Sequence, residues 1–232
     1  MKIGTLNVHE FTDSNNIESL DRFIELLAHV NLDVIGLQEV DSENNLRIII
    51  SKSPEYKYIY ERHCAILSKY PINKISKKSK ERYVKGQLTT PSGKQLTIVN
   101  VHLNYQLETI RIEEIQNIKI CDKTPVILMG DFNSLTKEDY TDKEWRYIYK
   151  IRKYHKWELP VSILTDIISR DFYDTRKLVK SPIGKLETCR FNTRIDYIYV
   201  NKYLKDIILK HEHYETMPEI TDHNMVISSI KF

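Results

Sequence analysis

Four apolar stretches of this chain each run into a polar side chain capable of chemistry, and that repeated design is what most limits the fold. Val126-Ile127-Leu128-Met129 leads into Gly130-Asp131-Phe132-Asn133, Lys2-Ile3-Gly4-Thr5-Leu6 into Asn7, Asp33-Val34-Ile35-Gly36-Leu37-Gln38 into Glu39, and Leu96-Thr97-Ile98-Val99-Asn100-Val101 into His102. Short continuous apolar runs of this kind read as strands buried on both faces. Functional groups at the ends of such strands come together when neighbouring strands lie side by side in a sheet. Arg194-Ile195-Asp196-Tyr197 and Thr221-Asp222-His223-Asn224 add further candidates near the C-terminus.

The rest of the pattern fills in around these strands. Ile17, Leu20, Phe23, Ile24 and Leu27 have the spacing of one helix face, predicting a helix over 15–30 capped by Asp13, Ser14 or Asn15. Cys64-Ala65-Ile66-Leu67 reads as a buried strand, and Pro91-Ser92-Gly93-Lys94 as the turn of a hairpin joining 84–89 to 95–101. A partly helical rhythm covers 106–120, helix is expected over much of 136–157, and 194–200 and 225–232 read as the last two strands. No repeat, low-complexity tract or linker interrupts 1–232, which is expected to form a single domain. Strands and helices do not alternate regularly. The expected class is therefore α/β, with a pair of sheets packed face to face and helices outside.

A chain of 232 residues can bury one large core. No apolar run approaches the ~18–20 residues that span a bilayer, and the first residues lack the apolar core of a signal peptide. An intracellular protein without membrane insertion is expected. Cys64, Cys121 and Cys189 are far apart and form no CxxC pair, which argues against a disulfide framework and a structural zinc site. Cys64 and Cys121 read as small core residues. His9, His29, His63, His155, His211 and His213 read as surface or packing residues.

Asn7, Glu39, His102, Asp131, Asn133, Asp196, Asp222 and His223 together suit phosphodiester hydrolysis. That reaction needs charge neutralised at the phosphate, a water activated in line, and a stabilised leaving oxygen. Mg²⁺ can supply the first and third, and it takes hard oxygen ligands with only one or two carboxylates. Glu39 is the natural first ligand, Asn7 offers an amide oxygen, and Asp222 could bind directly or through water. Asp131 suits the role of orienting or deprotonating the attacking water, and Asn133 that of holding a phosphate oxygen or the water. His102 and His223 can donate to phosphate oxygens, best as imidazolium, with Asp196 orienting His223 and raising its pKa.

The motifs Thr5-Leu6-Asn7, Leu37-Gln38-Glu39-Val40, Ala65-Ile66-Leu67-Ser68-Lys69-Tyr70-Pro71-Ile72, Val101-His102-Leu103, Gly130-Asp131-Phe132-Asn133, Arg194-Ile195-Asp196-Tyr197 and Thr221-Asp222-His223 occur in an order that resembles the endonuclease/exonuclease/phosphatase superfamily. The resemblance spans residues 5–223 and implies a four-layer α/β sandwich of the deoxyribonuclease I type, two mixed sheets face to face with helices outside. It also implies a Mg²⁺ or Mn²⁺ cofactor and the residue roles given above. His102 stands where AP endonucleases usually have Tyr, and His9 where they have an acid. The motif set is most similar to that of tyrosyl-DNA phosphodiesterases, and generic members share it almost as well. Resemblance therefore points to a nuclease or DNA-end-processing phosphodiesterase. The alternatives within the superfamily are an inositol-phosphate phosphatase or phospholipid phosphodiesterase; a silent nucleic-acid- or protein-binding member is the other.

A net charge of +3 is too small to indicate nucleic acid by itself. Two basic stretches are nevertheless candidates for a phosphate-tracking surface. One gathers Lys69, Lys74, Lys77, Lys78, Lys80, Arg82 and Lys85; the other, 143–157, interleaves aromatic rings that base stacking could use. Arg146, Lys150 and Lys153 would share one helix face there as substrate-binding residues, with nucleic acid the expected partner and 136–171 the expected seat of selectivity.

Overall fold

Successive residues of the buried strands point to opposite faces of a sheet, and in this chain both faces find an apolar partner. The computed structural model describes residues 1–76, 80–120 and 123–231. Its elements begin β1 (Lys2–Asn7), α1 (Leu20–Val30), β2 (Val34–Gln38), α2 (Glu43–Lys52), β3 (Lys57–Glu61), β4 (Cys64–Ser68), β5 (Ile72–Lys74), β6 (Tyr83–Thr89) and β7 (Gln95–His102). They continue α3 (Glu108–Asn117), β8 (Val126–Asp131), α4 (Asp142–Tyr154), α5 (Ile163–Ile168), β9 (Phe172–Asp174), α6 (Thr175–Leu178), β10 (Asp196–Asn201), β11 (Ile208–Tyr214) and β12 (Met225–Ile230).

The strands form two six-stranded sheets, ordered β11-β12-β1-β2-β4-β3 and β5-β6-β7-β8-β10-β9. Each is mixed. β1 and β2 run parallel across α1, and β7 and β8 run parallel across α3, while the other pairings are antiparallel. Ile3, Val34, Ile66, Ile98, Ile127, Met129 and Ile198 pack into one apolar layer between the sheets. Alternate residues of the same strands face outward. Leu6, Ile35 and Leu37 meet α1 through Phe23 and Leu27, and Val99, Val101 and Leu128 meet Ile118, Leu164 and Ile168. This is the expected α/β sandwich of two mixed sheets with helices outside.

Polar groups interrupt the inter-sheet layer at the end where the functional strands stop. Asn100 donates through Nδ2 to the carbonyls of Leu37 (2.8 Å) and Ala65 (2.9 Å), and its Oδ1 accepts from Gln38 Nε2, which also donates to Thr5 Oγ1. An unpartnered buried amide costs about 1–3 kcal/mol, so these bonds let Asn100 sit fully buried, satisfy the Gln38 NH₂ and pin the two sheets together. Gly36 makes the approach possible, since a Cβ there would lie 2.7 Å from Asn100 Oδ1.

Two local expectations need correction. The first helix starts at Leu20, not at residue 15: Asp13 Oδ1 accepts from the backbone N–H groups of Asn15 and Ile17, closing a turn that leaves Ile17 exposed. The strands over 194–200 and 225–232 are not consecutive, because β11 lies between them and pairs along β12. Its mixed sequence, Ile-Leu-Lys-His-Glu-His-Tyr, is that of an edge strand with one wet face, which lacks an apolar run. Helix does cover much of 136–157, as one short turn at 137–139 and as α4, whose Thr141 and Glu144 form a capping box. The hairpin β6–β7 forms as expected, with Gly93 at φ 79° in its turn. Cys64 is buried in the core, whereas Cys121 lies outside the described residues.

Candidate active site

The ends of the central strands of both sheets meet at one edge of the sandwich. Asn7 closes β1 and Glu39 follows β2 in the first sheet; His102 closes β7, Asp131 closes β8 and Asp196 opens β10 in the second. Register sets the neighbours: His102 pairs with Asp131 across β7–β8, and Asp131 with Asp196 across β8–β10. Gly130 allows this approach. At φ 136° it holds a conformation that side chains rarely adopt, and a Cβ there would stand 2.0 Å from the Val101 carbonyl oxygen. Glu39 (φ 56°) and Asn133 (φ 50°) also take left-handed backbone, which turns their side chains out of the strand line.

Asn7 Nδ2 donates to Glu39 Oε1 (2.9 Å) and Asp131 Oδ2 (3.2 Å), and its own Oδ1 accepts from the backbone N–H of His9. The amide oxygen expected to face a metal therefore points elsewhere. In the structure the His9 bond fixes the amide the other way round, with its NH₂ toward the carboxylates. Asp131 Oδ1 accepts from Asn133 N (2.9 Å), while the Asn133 side chain donates to the Leu103 carbonyl. His223 Nδ1 lies 2.9 Å from Asp196 Oδ2, and its Nε2 faces Asp131 Oδ2 at 4.0 Å and Asp222 Oδ1 at 3.9 Å. His102 Nε2 stands 3.6 Å from Glu39 and 3.7 Å from Asp131. The cluster is thus one connected set.

Burial and charge divide the two histidines. Burial opposes a charge on His223, but the Asp196 carboxylate beside it, helped by Asp131, holds its pKa well above the ordinary value, so it is a cation at neutral pH. Burial pushes His102 down to about 3, with the Arg82 and His223 charges adding to the effect. His102 is therefore neutral, against the expected imidazolium. Its Nδ1 is buried with no partner among the described residues, so its proton belongs on Nε2, which faces the carboxylates. Burial, with the Asp196 charge next, raises Asp131 to about 7, although the His223 cation pulls it the other way.

The loop carrying Asp222 and His223 is held by residues that periodicity does not mark. Thr221 Oγ1 donates to the Asn7 carbonyl, Asn224 Oδ1 accepts from Thr216 N and Met217 N, and Thr188 Oγ1 accepts from Ile195 N and Asp196 N. Thr221 reaches Asn7 across 214 positions, and the other bonds span 7 or 8 positions of irregular chain, which no strand or helix period marks.

Above the cluster opens a cleft of about 1250 Å³, whose lining includes Glu39, His102, Asp131, Asn133, Asp222 and His223. Arg82, Arg152, Lys156 and Arg190 stand around it, together with Tyr105, Tyr147, Trp157 and Phe191. Arg146, Lys150 and Lys153 do not line it: they are exposed on α4, whose Tyr147, Ile148 and Ile151 face the cleft instead. Lys69 and Lys74 of the other basic stretch bond to Asn31 and Glu61, Arg82 alone among the described residues named there lines the cleft, and Lys77 and Lys78 lie outside the described residues. His63 is exposed at the cleft, while His211 and His213 are buried packing residues.

The donor set fits a hard divalent cation. Asp131, Asp196 and His223 bring ligand atoms within 4.8 Å of one another, and Glu39, with a side chain 31% exposed, adds a carboxylate facing the cleft. Because His223 is tied to Asp196 through Nδ1, the acid oxygens are the better donors.

The model of the Endonuclease/Exonuclease/phosphatase family matches residues 4–223. The chain belongs to that family. As a member of the endonuclease/exonuclease/phosphatase superfamily it is a hydrolase, and the fold agrees with solved relatives. An AP endonuclease from Archaeoglobus fulgidus superposes with a TM-score of 0.73 at 14% identity over 100% of both chains. A 3′ phosphatase from Neisseria, bound to product DNA hairpin, gives 0.69 at 17% identity over 100% of both. A mannosyl-6-phosphatase from Bacteroides thetaiotaomicron gives 0.67 at 16%, again over 100% of each chain. Among curated proteins no significant match is found. No helix among the described residues is long and apolar enough to cross a membrane.

Proposed function

We propose that this protein is a Mg²⁺-dependent phosphodiester hydrolase, with Mn²⁺ as the substitute ion, that acts on nucleic acid by direct attack of water. The observation that carries the reading is the cluster itself: carboxylates, amides and a histidine cation converge from two sheets on the floor of an open, cation-rimmed cleft. Glu39 and Asp222 are the oxygens available to the ion, with Asp131 reserved for the water beside it, and Asn7 would add another only on turning its amide. When bound, the ion would supply a Lewis acid that neutralises phosphate charge and steadies the leaving oxygen.

The protein's own groups do the rest. Asp131, ionising near neutral pH, takes the proton of the attacking water. The His223 cation, kept charged by Asp196, donates Nε2–H to a phosphate oxygen and opposes the charge that builds in the transition state. Neutral His102 offers Nε2–H, and Asn133 stands beside the water. Burial raises the pKa of Cys189, the thiol that lines the cleft among the described residues, which disfavours it as a nucleophile.

The test is cleavage by purified protein of single- and double-stranded DNA, RNA, 5′-tyrosyl DNA, abasic DNA, inositol polyphosphates and sphingomyelin, with Mg²⁺ or EDTA. Nucleic-acid cleavage that needs Mg²⁺ and falls at least about 10³-fold in Asp131→Asn is expected. Turnover confined to phosphomonoesters or lipids would overturn the reading.

A further inference from the structure

The aromatic part of the cleft wall has no task in the hydrolysis described above. Trp157 is 43% exposed and Phe191 50% exposed, yet neither ring is loose. His155 stacks on Trp157 (centroids 4.7 Å, interplanar 20°), and Phe191 meets Trp157 edge to face (5.0 Å, 71°). Arg190 joins this pair to the reaction centre: its Nε lies 3.5 Å from Asp222 Oδ2 and its guanidinium carbon 5.1 Å from the Phe191 ring centroid.

We propose that Trp157 and Phe191 form a subsite for an unpaired nucleobase beside the scissile phosphate, with Arg190 on that phosphate. The enzyme would then favour single-stranded or frayed nucleic acid over paired duplex. The inference rests on the nucleic-acid reading above. Its basis is the mixture of chemistry in one wall. Held aromatic faces accept any base by stacking, and the cations interleaved with them, Arg152, Lys156 and Arg190, match a backbone of phosphates. An acyl chain would gain from contiguous aliphatic surface and nothing from the cations. A base inside a duplex has both faces covered by its stack neighbours and reaches a ring only after unstacking.

Anisotropy on the full-length Asp131→Asn protein tests this, with 5′-fluorescein pentathymidylate and a chain of the same length and charge whose sugars carry no base. Pentathymidylate should bind roughly 5- to 100-fold tighter, the span expected for stacking of a base on a ring. Adding Trp157→Ala or Phe191→Ala should remove most of that advantage and leave the baseless chain unchanged, while Trp157→Phe restores it. Equal binding of the two chains, or both ring variants binding as the parent does, overturns the subsite. Metal-dependent DNA cleavage without a base advantage would sink the subsite and leave the phosphodiesterase standing. A base advantage in a protein that cleaves no nucleic acid would do the reverse, and binding of neither chain overturns both.

Discussion

Single residues at the strand ends carry more constraint than their size implies. Gly130 has a φ of 136° and no room for a methyl group against the Val101 carbonyl. Backbone strain of this kind costs about 1–3 kcal/mol before the clash is counted. Gly130→Ala should therefore lose at least ~2 kcal/mol in urea unfolding; a loss below about 0.5 kcal/mol would mean that the strand end simply relaxes. Asp131 shows the opposite economy. With its pKa raised from 3.8 to about 7, the native metal-free protein keeps a proton that the unfolded chain has released, so stability falls as pH rises from about 4 to 7. Asp131→Asn in EDTA should consequently raise the Tm at pH 8 by about 2–4 °C or more, some 1 kcal/mol in a chain of this size, and lose that advantage near pH 4. A Tm unchanged at pH 8 would show that the carboxylate ionises there without penalty. The raised pKa of His223 acts with the same sign: its contribution is complete below the ordinary histidine value and fades as pH climbs above it.

At the scale of elements, the wall of the cleft hangs on one buried ionic knot. Arg111, nearly inaccessible, bonds to Glu108 Oε2, to the Asn104 carbonyl and to Glu158; Glu108 Oε1 in turn accepts from Leu164 N and Ser134 Oγ. Asn104 follows His102 by two residues, Ser134 follows Asn133, and Glu158 follows Trp157, so α3 ties three loops of the site together. Removing one partner of a buried pair costs about 3–5 kcal/mol. Arg111→Met should fall in that range by chemical denaturation. Glu158→Gln, partly exposed, should instead raise KM several-fold on a nucleic-acid substrate with kcat little changed; a drop confined to kcat would contradict the wall assignment. The contrast explains what was legible in the sequence. Glu39, His102 and Asp131 each sit at the end of an apolar run, so a local pattern marks both the strand and the group it delivers. Arg111 lies in a helical rhythm that does not single it out, Glu158 lies beyond any apolar run, and the two meet only through the fold. The helix expected from residue 15 failed for a related reason, because the Asp13 side chain satisfies the backbone N–H groups of Asn15 and Ile17 outside any helix. Likewise α4 turns Tyr147 and Ile151 to the cleft and leaves Arg146, Lys150 and Lys153 outside, a choice of face that spacing alone does not make.

Across the whole molecule the charge is nearly balanced, and what counts is where the cations stand. Arg82, Arg152, Lys156 and Arg190 surround a cleft whose floor is acidic. For single strands log K falls with log salt by about 0.7 per phosphate neutralised. If these cations each meet a phosphate, the slope should approach −3, and Arg190→Ala should make it shallower by about 0.7; a slope near zero would mean that the rim contributes no phosphate contacts. Asn7, Glu39 and the loop of Asp222 and His223 belong to the first sheet, whereas His102, Asp131, Asn133 and Asp196 belong to the second. Neither sheet holds a complete centre. During refolding, metal affinity should thus return only at the step that dries the layer between the sheets, so that competence reports closure of the sandwich rather than formation of either half.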